Sequence, residues 1–205
     1  MKKVPSSIKD EKLIKMRRDQ MIKGAVALFK EKGFHKTTTR EIAKASGFSI
    51  GTLYEYIRTK EDVLFLVCDY IYERVKERME QIIDRERNGN HSLQGAITAY
   101  FILMDDMQDE VVVMYQEVKS LSRDALDYVL QKERDMLKLL EQVIQHSCAG
   151  ALSAQDITLV ANNIFVQGQM WGFRRWMLQK DFSLEAYTER QMHFLFQGLP
   201  IPEKA

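Results

Sequence analysis

The chain has 205 residues, 45% of them hydrophobic and 29% charged, which is enough to bury a core in one or two domains. Its 30 basic and 29 acidic residues leave a net charge of +1, which by itself predicts no particular partner. No apolar run is long enough to span a bilayer, and no signal-peptide core follows Met1. We therefore expect a cytoplasmic protein without a membrane partner. We expect its two cysteines to be buried, reduced thiols, and a regulatory disulfide is the alternative.

Hydrophobic spacing predicts an all-α protein of about nine helices, because apolar residues recur every three or four positions and no β-type alternation appears. The three prolines, Pro5, Pro200 and Pro202, lie near the ends and leave the chain between them free to stay helical. The predicted helices run approximately over 12–32, 41–45, 50–57, 60–84, 92–107, 109–121, 124–148, 153–179 and 183–197. We expect an amino-terminal domain of residues 1–60 and a larger helical domain of residues 61–205.

Residues 37–57 carry a helix-turn-helix pattern. Threonines at positions 37 to 39 supply N-cap hydroxyls for a short helix, and Gly47 tolerates the positive φ of a turn. Ser49 then caps a second short helix, and Ile42 and Ala43 mark the buried side of the first. In this motif the second helix enters the DNA major groove.

The charge is distributed unevenly between the two predicted domains. Residues 1–60 contain 15 Lys and Arg against 6 Asp and Glu, a net of +9, whereas the remainder carries 15 against 23, a net of −8. A basic head on an acidic body is typical of a polyanion-binding protein. A solvated basic surface explains the charge alone equally well. A helical scaffold protein whose basic end binds an acidic protein is the alternative function.

The stretch GFHKTTTREIAKASGFSIGTLYEYIRTKEDVL resembles the signature of TetR/AcrR-type transcriptional regulators. The similarity is dense over approximately residues 15–75, and beyond them it is limited to the number, order and length of helices. The resemblance implies a three-helix DNA-binding domain followed by a helical domain that binds an effector and dimerises. It further implies a ligand-responsive regulator, most often a repressor, that binds a palindromic operator in double-stranded DNA as a homodimer.

The DNA contacts that the resemblance implies fall on hydroxyl, glycine and basic residues of the amino-terminal domain. Hydroxyls, lysines and helix N-termini are common phosphate ligands, and a missing side chain lets the backbone approach the groove. Ile50, often polar in the family, is expected to contact a thymine methyl. The candidate DNA-binding residues are Thr38, Arg40, Ser49, Ile50, Gly51, Thr52, Tyr54 and Lys60.

The helix predicted over 153–179 is apolar on several sides, so we expect it to be buried on several sides. The resemblance implies that the last two long helices form a four-helix dimer interface with those of a partner. The candidate interface residues are Ile164, Gly168, Gly172, Tyr187, Gln191 and Phe194. A large monomeric core is the alternative explanation.

Aromatic and methionine side chains of the second domain suit an adaptable apolar pocket, although ordinary core packing explains any one of them equally well. The resemblance implies a small apolar or amphipathic effector, and two segments are similar to acyl-CoA-responsive members. Arg174 and Arg175 are candidates for contact with a CoA phosphate or an acyl carboxylate. The alternative is that they extend from the dimer helix into solvent. The candidate effector residues are Tyr100, Phe101, Met104, Tyr115, Phe165, Trp171, Arg174 and Arg175.

Motifs for catalysis are missing from the sequence. It contains no glycine-rich phosphate loop, GxSxG or CxxC, and no His stands three residues after a Glu. Glu189 and His193 share one helix face, but a single pair is more often a surface contact than a metal site. We therefore expect no enzyme activity, no catalytic residues, no metal and no cofactor.

Overall fold

The computed structural model describes residues 10–86, 93–148 and 151–198, without the side chains of 82–86. Within these residues the protein has ten α-helices, one 3-10 segment (Val118–Ser120) and no strand, which confirms the all-α prediction. The helices are α1 Glu11–Lys32, α2 Thr39–Ala45, α3 Ile50–Tyr54, α4 Lys60–Glu86, α5 Leu93–Asp106, α6 Gln108–Glu117, α7 Arg123–Ser147, α8 Ala154–Phe173, α9 Arg175–Asp181 and α10 Leu184–Phe196.

The predicted helix over 153–179 is two helices in the structure. The backbone leaves the helical region at Arg174 (φ −105°, ψ 20°), and α9 begins at the next residue. The helix predicted over 50–57 ends at Tyr54 and continues as hydrogen-bonded turns to Ile57. Neither end carries a proline or a positive-φ glycine, so the sequence offered no stop signal at these points.

The described chain forms two compact units. The first comprises residues 10–71 and 109–131, and the second comprises 72–86, 93–108, 132–148 and 151–198. Both α4 and α7 contribute residues to each unit. The division does not coincide with the predicted boundary at residue 60, because 61–71 and 109–131 belong with the amino-terminal helices; that boundary stays a prediction.

The first unit is built around side chains that meet where α1, α2 and α3 pack together. Phe34, Ile42 and Leu53 are almost completely buried there. Within the same unit, Lys30 Nζ contacts Asp109 Oδ2 at 2.5 Å, and the Tyr128 hydroxyl donates to Asp69 Oδ1 at 2.8 Å. These bonds attach α6 and the start of α7 to the helices of this unit.

Gly24 allows α1 and the end of α2 to approach closely. A Cβ atom at this position would lie 2.8 Å from the Ser46 Oγ and 3.1 Å from the Ala45 carbonyl carbon. The Ser46 hydroxyl cannot move freely, because it donates to the Ile42 carbonyl oxygen at 2.7 Å. The glycine lowers the intrinsic stability of α1, and the close helix contact is its structural reason.

The second unit has α5 at its centre, in contact with α8 and α10. The rings of Tyr100 and Phe165 stack with centroids 5.7 Å apart, and the Tyr100 hydroxyl donates to the Phe165 carbonyl oxygen at 3.0 Å. The Trp171 Nε1 donates to Asp105 Oδ1 at 2.6 Å, and its ring lies 5.1 Å from that of Tyr187. These contacts satisfy the buried polar groups of a largely apolar core.

The two cysteines, Cys68 and Cys148, are buried and free of disulfide bonds. Burial raises the pKa of the Cys68 thiol to about 12, which keeps it protonated and unreactive. Over the part of the chain that the structure describes, none of the helices combines the length and the apolar character needed to cross a membrane.

Candidate nucleic-acid interface

The first helix of the motif, α2, begins with a complete capping box. Thr38 Oγ1 accepts from the backbone N–H of Glu41, and the Glu41 carboxylate accepts from the backbone N–H of Thr38 at 2.9 Å. The Lys32 ammonium, together with the hydroxyl and backbone N–H of Thr38, holds the pKa of Glu41 down to about 2. Thr38, predicted to contact a phosphate, is exposed, and its hydroxyl also donates to Glu41.

The turn between α2 and α3 requires glycine for its backbone conformation. Gly47 has φ +74°, whereas a Cβ atom there would meet nothing within 4 Å. Phe48 follows, and its backbone N–H donates to the Ala43 carbonyl oxygen at 2.8 Å, which closes the turn. The Arg17 guanidinium of α1 lies 4.9 Å from the centre of the Phe48 ring and covers it.

One side of α3 and its following turn is buried and the other is open. Leu53, Tyr56 and Ile57 are buried, so the ring of Tyr56 serves packing. Ser49 and Gly51 are exposed, while Ile50 and Thr52 are half-buried. Ser49 Oγ accepts from the Thr52 backbone N–H and lies 3.0 Å from Thr52 Oγ1. The hydroxyl groups of Ser49 and Thr52 therefore belong both to the N-cap of α3 and to the candidate DNA-contact surface.

Gly51 differs from Gly24 in what surrounds it. A Cβ atom at Gly51 would contact only Ser49 Oγ, at 3.7 Å, which is ordinary van der Waals distance. Its φ lies outside the left-handed region, so neither backbone strain nor internal packing requires glycine here. The missing side chain instead leaves the backbone of α3 accessible from outside, as a close approach to a groove requires.

A pair of hydroxyls links the outer surfaces of α2 and α3. Thr39 Oγ1 lies 3.1 Å from the Tyr54 Oη, and the Tyr54 side chain is 52% exposed. The family resemblance implied a phosphate contact for Tyr54, and the sequence predicted Thr39 as a cap, but neither revealed this contact. Arg40 and Lys44 of α2 are also exposed.

Lys60 has internal partners for its ammonium group. Its Nζ donates to the carbonyl oxygens of Phe34, His35 and Thr37 at 3.0, 3.1 and 3.3 Å. It also lies 4.5 Å from the centre of the Phe34 ring. The phosphate contact that the family resemblance implied for Lys60 stays a prediction. In the structure, the three protons of the ammonium group are donated to backbone carbonyl oxygens instead.

The candidate effector residues differ in burial and in the unit to which they belong. Tyr100, Phe101, Met104, Phe165 and Trp171 are buried in the core of the second unit. Tyr115 is exposed and belongs to the first unit, Arg174 is exposed, and Arg175 is half-buried. The Arg174 guanidinium lies 5.4 Å from the centre of the exposed Trp176 ring, which is 63% exposed.

A small open cavity lies within the second unit, between α4 and α7. Its volume is about 160 Å³. Its lining combines apolar and charged side chains: Tyr72, Lys76, Glu80, Lys132, Asp135, Met136 and Leu139. Lys132 pairs with Glu73, and Lys76 lies 3.7 Å from Glu80. The sequence carries no signal for this cavity, because no aromatic cluster or motif marks it.

Four of the predicted dimer residues are buried against other residues of the same chain, whereas a partner subunit was expected to contact them. A Cβ atom at Gly168 would lie 2.4 Å from the Tyr100 ring, and one at Gly172 would lie 3.3 Å from Gln108 Cβ. Ile164 and Tyr187 are also buried. Small residues that suggested approach of a partner helix therefore receive neighbours from the same chain. Gln191 is half-buried and Phe194 is 64% exposed.

Within the described residues, no group of three or more His, Cys, Asp and Glu side chains is arranged to hold a metal ion. The geometry of α2 and α3 is that of a helix-turn-helix with hydroxyl, glycine and basic groups on its open side. These are the groups that contact phosphates and base edges. The fold and the site thus define a helix-turn-helix DNA-binding protein.

One known protein family matches the region that contains the helix-turn-helix. Residues 21–67 match the family described as bacterial regulatory proteins, tetR family. The HTH-type transcriptional regulator HbdR of Aromatoleum sp. (strain CIB) is 28% identical over 195 residues, which cover 95% of this chain and 85% of that protein. The HTH-type transcriptional repressor KstR2 of Mycolicibacterium smegmatis is 26% identical over 161 residues, 78% of each chain.

A solved structure shares the fold over most of its length. AibR in complex with isovaleryl coenzyme A and operator DNA superposes with a TM-score of 0.69 at 19% identity, covering 91% of this chain and all of that one. Residues 21–67 thus match the tetR family of bacterial regulatory proteins, the family that the sequence motif resembles. The protein is a DNA-binding transcriptional regulator and not an enzyme.

Proposed function

We propose that the protein is a cytoplasmic repressor that binds a palindromic operator as a homodimer and leaves it when a small apolar or amphipathic effector binds the helical body (residues 61–205). The observation that carries the operator proposal is the open side of α3. There Ser49 and Gly51 are exposed. The fold has room for a side chain at position 51, yet the residue is glycine. The KstR2 relative is named a transcriptional repressor, which supports the direction of regulation.

Two copies of α3 fit an operator better than one. The helix has only five residues, so a single copy presents few groups to base edges. A two-fold dimer doubles those contacts and reads a palindrome whose half-sites lie about 34–36 Å apart, one turn of DNA. We therefore include dimerisation in the proposed function.

The outward sides of α8 and α10 are the proposed dimer surface. Leu159 and Val166, seven residues apart on α8, are 61% and 47% exposed, and Phe194 on α10 is 64% exposed. The two helices meet where the Tyr187 hydroxyl donates to the Gln167 carbonyl oxygen at 2.8 Å. Exposed apolar side chains on adjacent helices favour a protein interface.

Charged substitutions on this surface should separate the dimer. We expect Val166→Asp combined with Phe194→Asp to give a folded monomer, because each aspartate would have to be buried without a partner. Operator affinity should fall by at least about 100-fold, since the two half-sites would no longer be bound together. Sedimentation equilibrium and operator titration measure the two effects.

Leu130→Asp is the matched control, because Leu130 is a similarly exposed apolar residue on α7. It should leave both the dimer and the operator affinity unchanged. A double variant on α8 and α10 that stays dimeric would contradict the proposed interface.

The effector is proposed to be an acyl-CoA thioester or a related amphipathic anion. AibR, which shares this fold, was solved in complex with isovaleryl coenzyme A. The lining of the α4–α7 cavity includes the apolar Met136 and Leu139, and Lys76 and Lys132 for an anionic group. Its volume, about 160 Å³, is below that of typical ligand sites, so binding requires α4 and α7 to move apart.

Movement of α4 links this cavity to the DNA-binding motif, because α4 begins at Lys60 beside the motif and also lines the cavity. We expect saturating isovaleryl-CoA or a long-chain acyl-CoA to weaken operator binding by about 5- to 150-fold. Fluorescence anisotropy with labelled operator measures this change. Free CoA and the free acid, tested in the same assay, show which part of the ligand the protein recognises.

Lys132→Met should weaken the response to ligand, whereas Lys138→Met, an exposed lysine of α7 outside the cavity, should not. The proposal fails for this ligand class if none of the thioesters changes operator affinity at saturation.

A further inference from the structure

The ammonium group of Lys60 is held by three backbone carbonyls. The three distances, 3.0, 3.1 and 3.3 Å, lead to consecutive or nearly consecutive residues of one short segment, Phe34, His35 and Thr37. A lysine ammonium has three protons and no acceptor. Each proton therefore has a carbonyl oxygen as its partner, and the Phe34 ring lies against the same group.

The segment that Lys60 holds is the connection from α1 to α2. Gly33, at φ +83°, ends α1, and the Thr37 hydroxyl donates to the Gly33 carbonyl oxygen at 2.9 Å. The Thr37 backbone N–H donates to the Phe34 carbonyl oxygen at 3.1 Å, so the connection is a tight turn. The next residue, Thr38, is the N-cap of α2. The position of this turn determines where α2 begins.

Lys60 is also the first residue of α4. Its side chain spans 23 to 26 positions of sequence to reach the turn. The backbone N–H groups of Arg58 and Thr59, just before α4, both donate to Asp62 Oδ2, which fixes the start of that helix. A fixed helix start and a fixed turn are thus joined through one ammonium group.

We propose that Lys60 is a positioning residue in DNA recognition, which holds α2 and therefore α3 in register with the start of α4, and that it is not a phosphate ligand. The inference rests on the proposed operator binding. It differs from the contact implied by the family resemblance, because a phosphate would have to compete with three carbonyl oxygens for the same protons.

The two roles differ in how they respond to salt and to sequence. A lysine that neutralises a phosphate contributes about 0.9 to the slope of log affinity against log salt, and its loss weakens binding to all sequences alike. A positioning residue acts on the placement of α3, so its loss reduces preference for the operator over other DNA. The slope should then stay the same apart from the general effect of one charge.

Three variants separate the roles: Lys60→Met, Lys60→Arg and the control Lys36→Met. Lys36 is exposed and lies in the same turn, so its removal takes one charge from the same surface without breaking these bonds. Affinities for operator and for unrelated DNA are measured between about 50 and 200 mM salt, at a temperature where circular dichroism shows each variant folded.

We expect Lys60→Met to lower the ratio of operator affinity to unrelated-DNA affinity by at least about tenfold. Its slope of log affinity against log salt should equal that of Lys36→Met. Lys60→Arg keeps the charge, and an arginine there would still bind phosphate well. Its planar guanidinium, however, cannot direct three protons to the carbonyl oxygens of Phe34, His35 and Thr37. It should therefore also lose operator preference, and it decides the question if Lys60→Met does not fold.

Equal weakening on both DNAs, with a slope smaller by about 0.9 than that of Lys36→Met, would make Lys60 a phosphate ligand. Full operator preference in Lys60→Arg would also overturn the inference. Failure of the unmodified protein to prefer any operator would instead remove the proposed function itself.

Discussion

Replacing Gly51 with leucine is expected to weaken operator binding by at least about 100-fold, while the protein becomes slightly more stable. This loss is smaller than the roughly 10³- to 10⁷-fold that separates specific from non-specific DNA binding. A side chain at this position meets only Ser49 Oγ at 3.7 Å inside the protein, so the fold accommodates it. Removing a glycine from an exposed helix stabilises it by up to about 1 kcal/mol. The same side chain would stand between α3 and a DNA groove.

The opposite signs of the two effects make this variant informative. Operator titration and urea unfolding measure them on the same sample, and Gly51→Ala should give a smaller loss of affinity because it adds one carbon atom. Binding to unrelated DNA, which depends mainly on phosphates, should change little. Wild-type operator affinity in Gly51→Leu would contradict the placement of α3 in a groove and favour a basic surface that binds an acidic protein.

Replacing Gly168 with alanine is expected to lower the free energy of unfolding by about 1–3 kcal/mol, as overpacking of a core typically does. The added Cβ would lie 2.4 Å from Tyr100 Cε1 and 3.2 Å from the Phe101 ring. The Tyr100 ring cannot turn away freely, because it stacks on Phe165 and its hydroxyl donates to the Phe165 carbonyl oxygen. Urea denaturation followed by circular dichroism measures the loss.

Gly172→Ala is the matched control one helical turn away. Its Cβ would lie 3.3 Å from Gln108 Cβ and 3.5 Å from Gln108 Cα, so a small shift suffices and stability should change by less than about 1 kcal/mol. Combining Gly168→Ala with Tyr100→Ala should reduce the cost of the glycine substitution, since the clashing ring is gone. Equal destabilisation by the two glycine variants would contradict the packing described for α5 and α8.

Local signals made the DNA-binding motif predictable from sequence. Thr38 and Ser49 cap their helices, and Gly47 takes the positive φ that its place in the turn demands. Each of these features depends on a few neighbouring residues, so the sequence contains them directly. The burial of Leu53 and Ile57 likewise follows from apolar residues spaced along a short amphipathic segment.

The roles of the other glycines depend on distant parts of the chain and were not predictable. Gly24 serves the approach of Ala45 and Ser46, and Gly168 serves the approach of Tyr100, from 21 to 68 residues away. A glycine at a helix contact looks the same in sequence whether its neighbour belongs to the same chain or to a partner. For that reason Gly168 and Gly172 were predicted as dimer residues, whereas each packs against its own chain.

The interactions of charged side chains could not be predicted from the sequence either. The family resemblance implied a DNA contact for Lys60. Its three hydrogen bonds lead instead to backbone carbonyl oxygens, which every residue type has, so no sequence pattern marks them. The α4–α7 cavity brings together residues separated by more than 50 positions, none of which forms a motif. Aromatic composition instead drew attention to Tyr100 and Phe165, which fill the core.

The two tryptophans give this protein a built-in optical reporter. Trp171 is buried and donates its indole N–H to Asp105, whereas Trp176, five residues later, is 63% exposed beside Arg174. Their emission therefore comes from two different surroundings, one apolar and one aqueous. A chain in which phenylalanine replaces Trp176 would fluoresce from the interior alone, so rearrangement around α5 and α8 can be followed without attaching a dye.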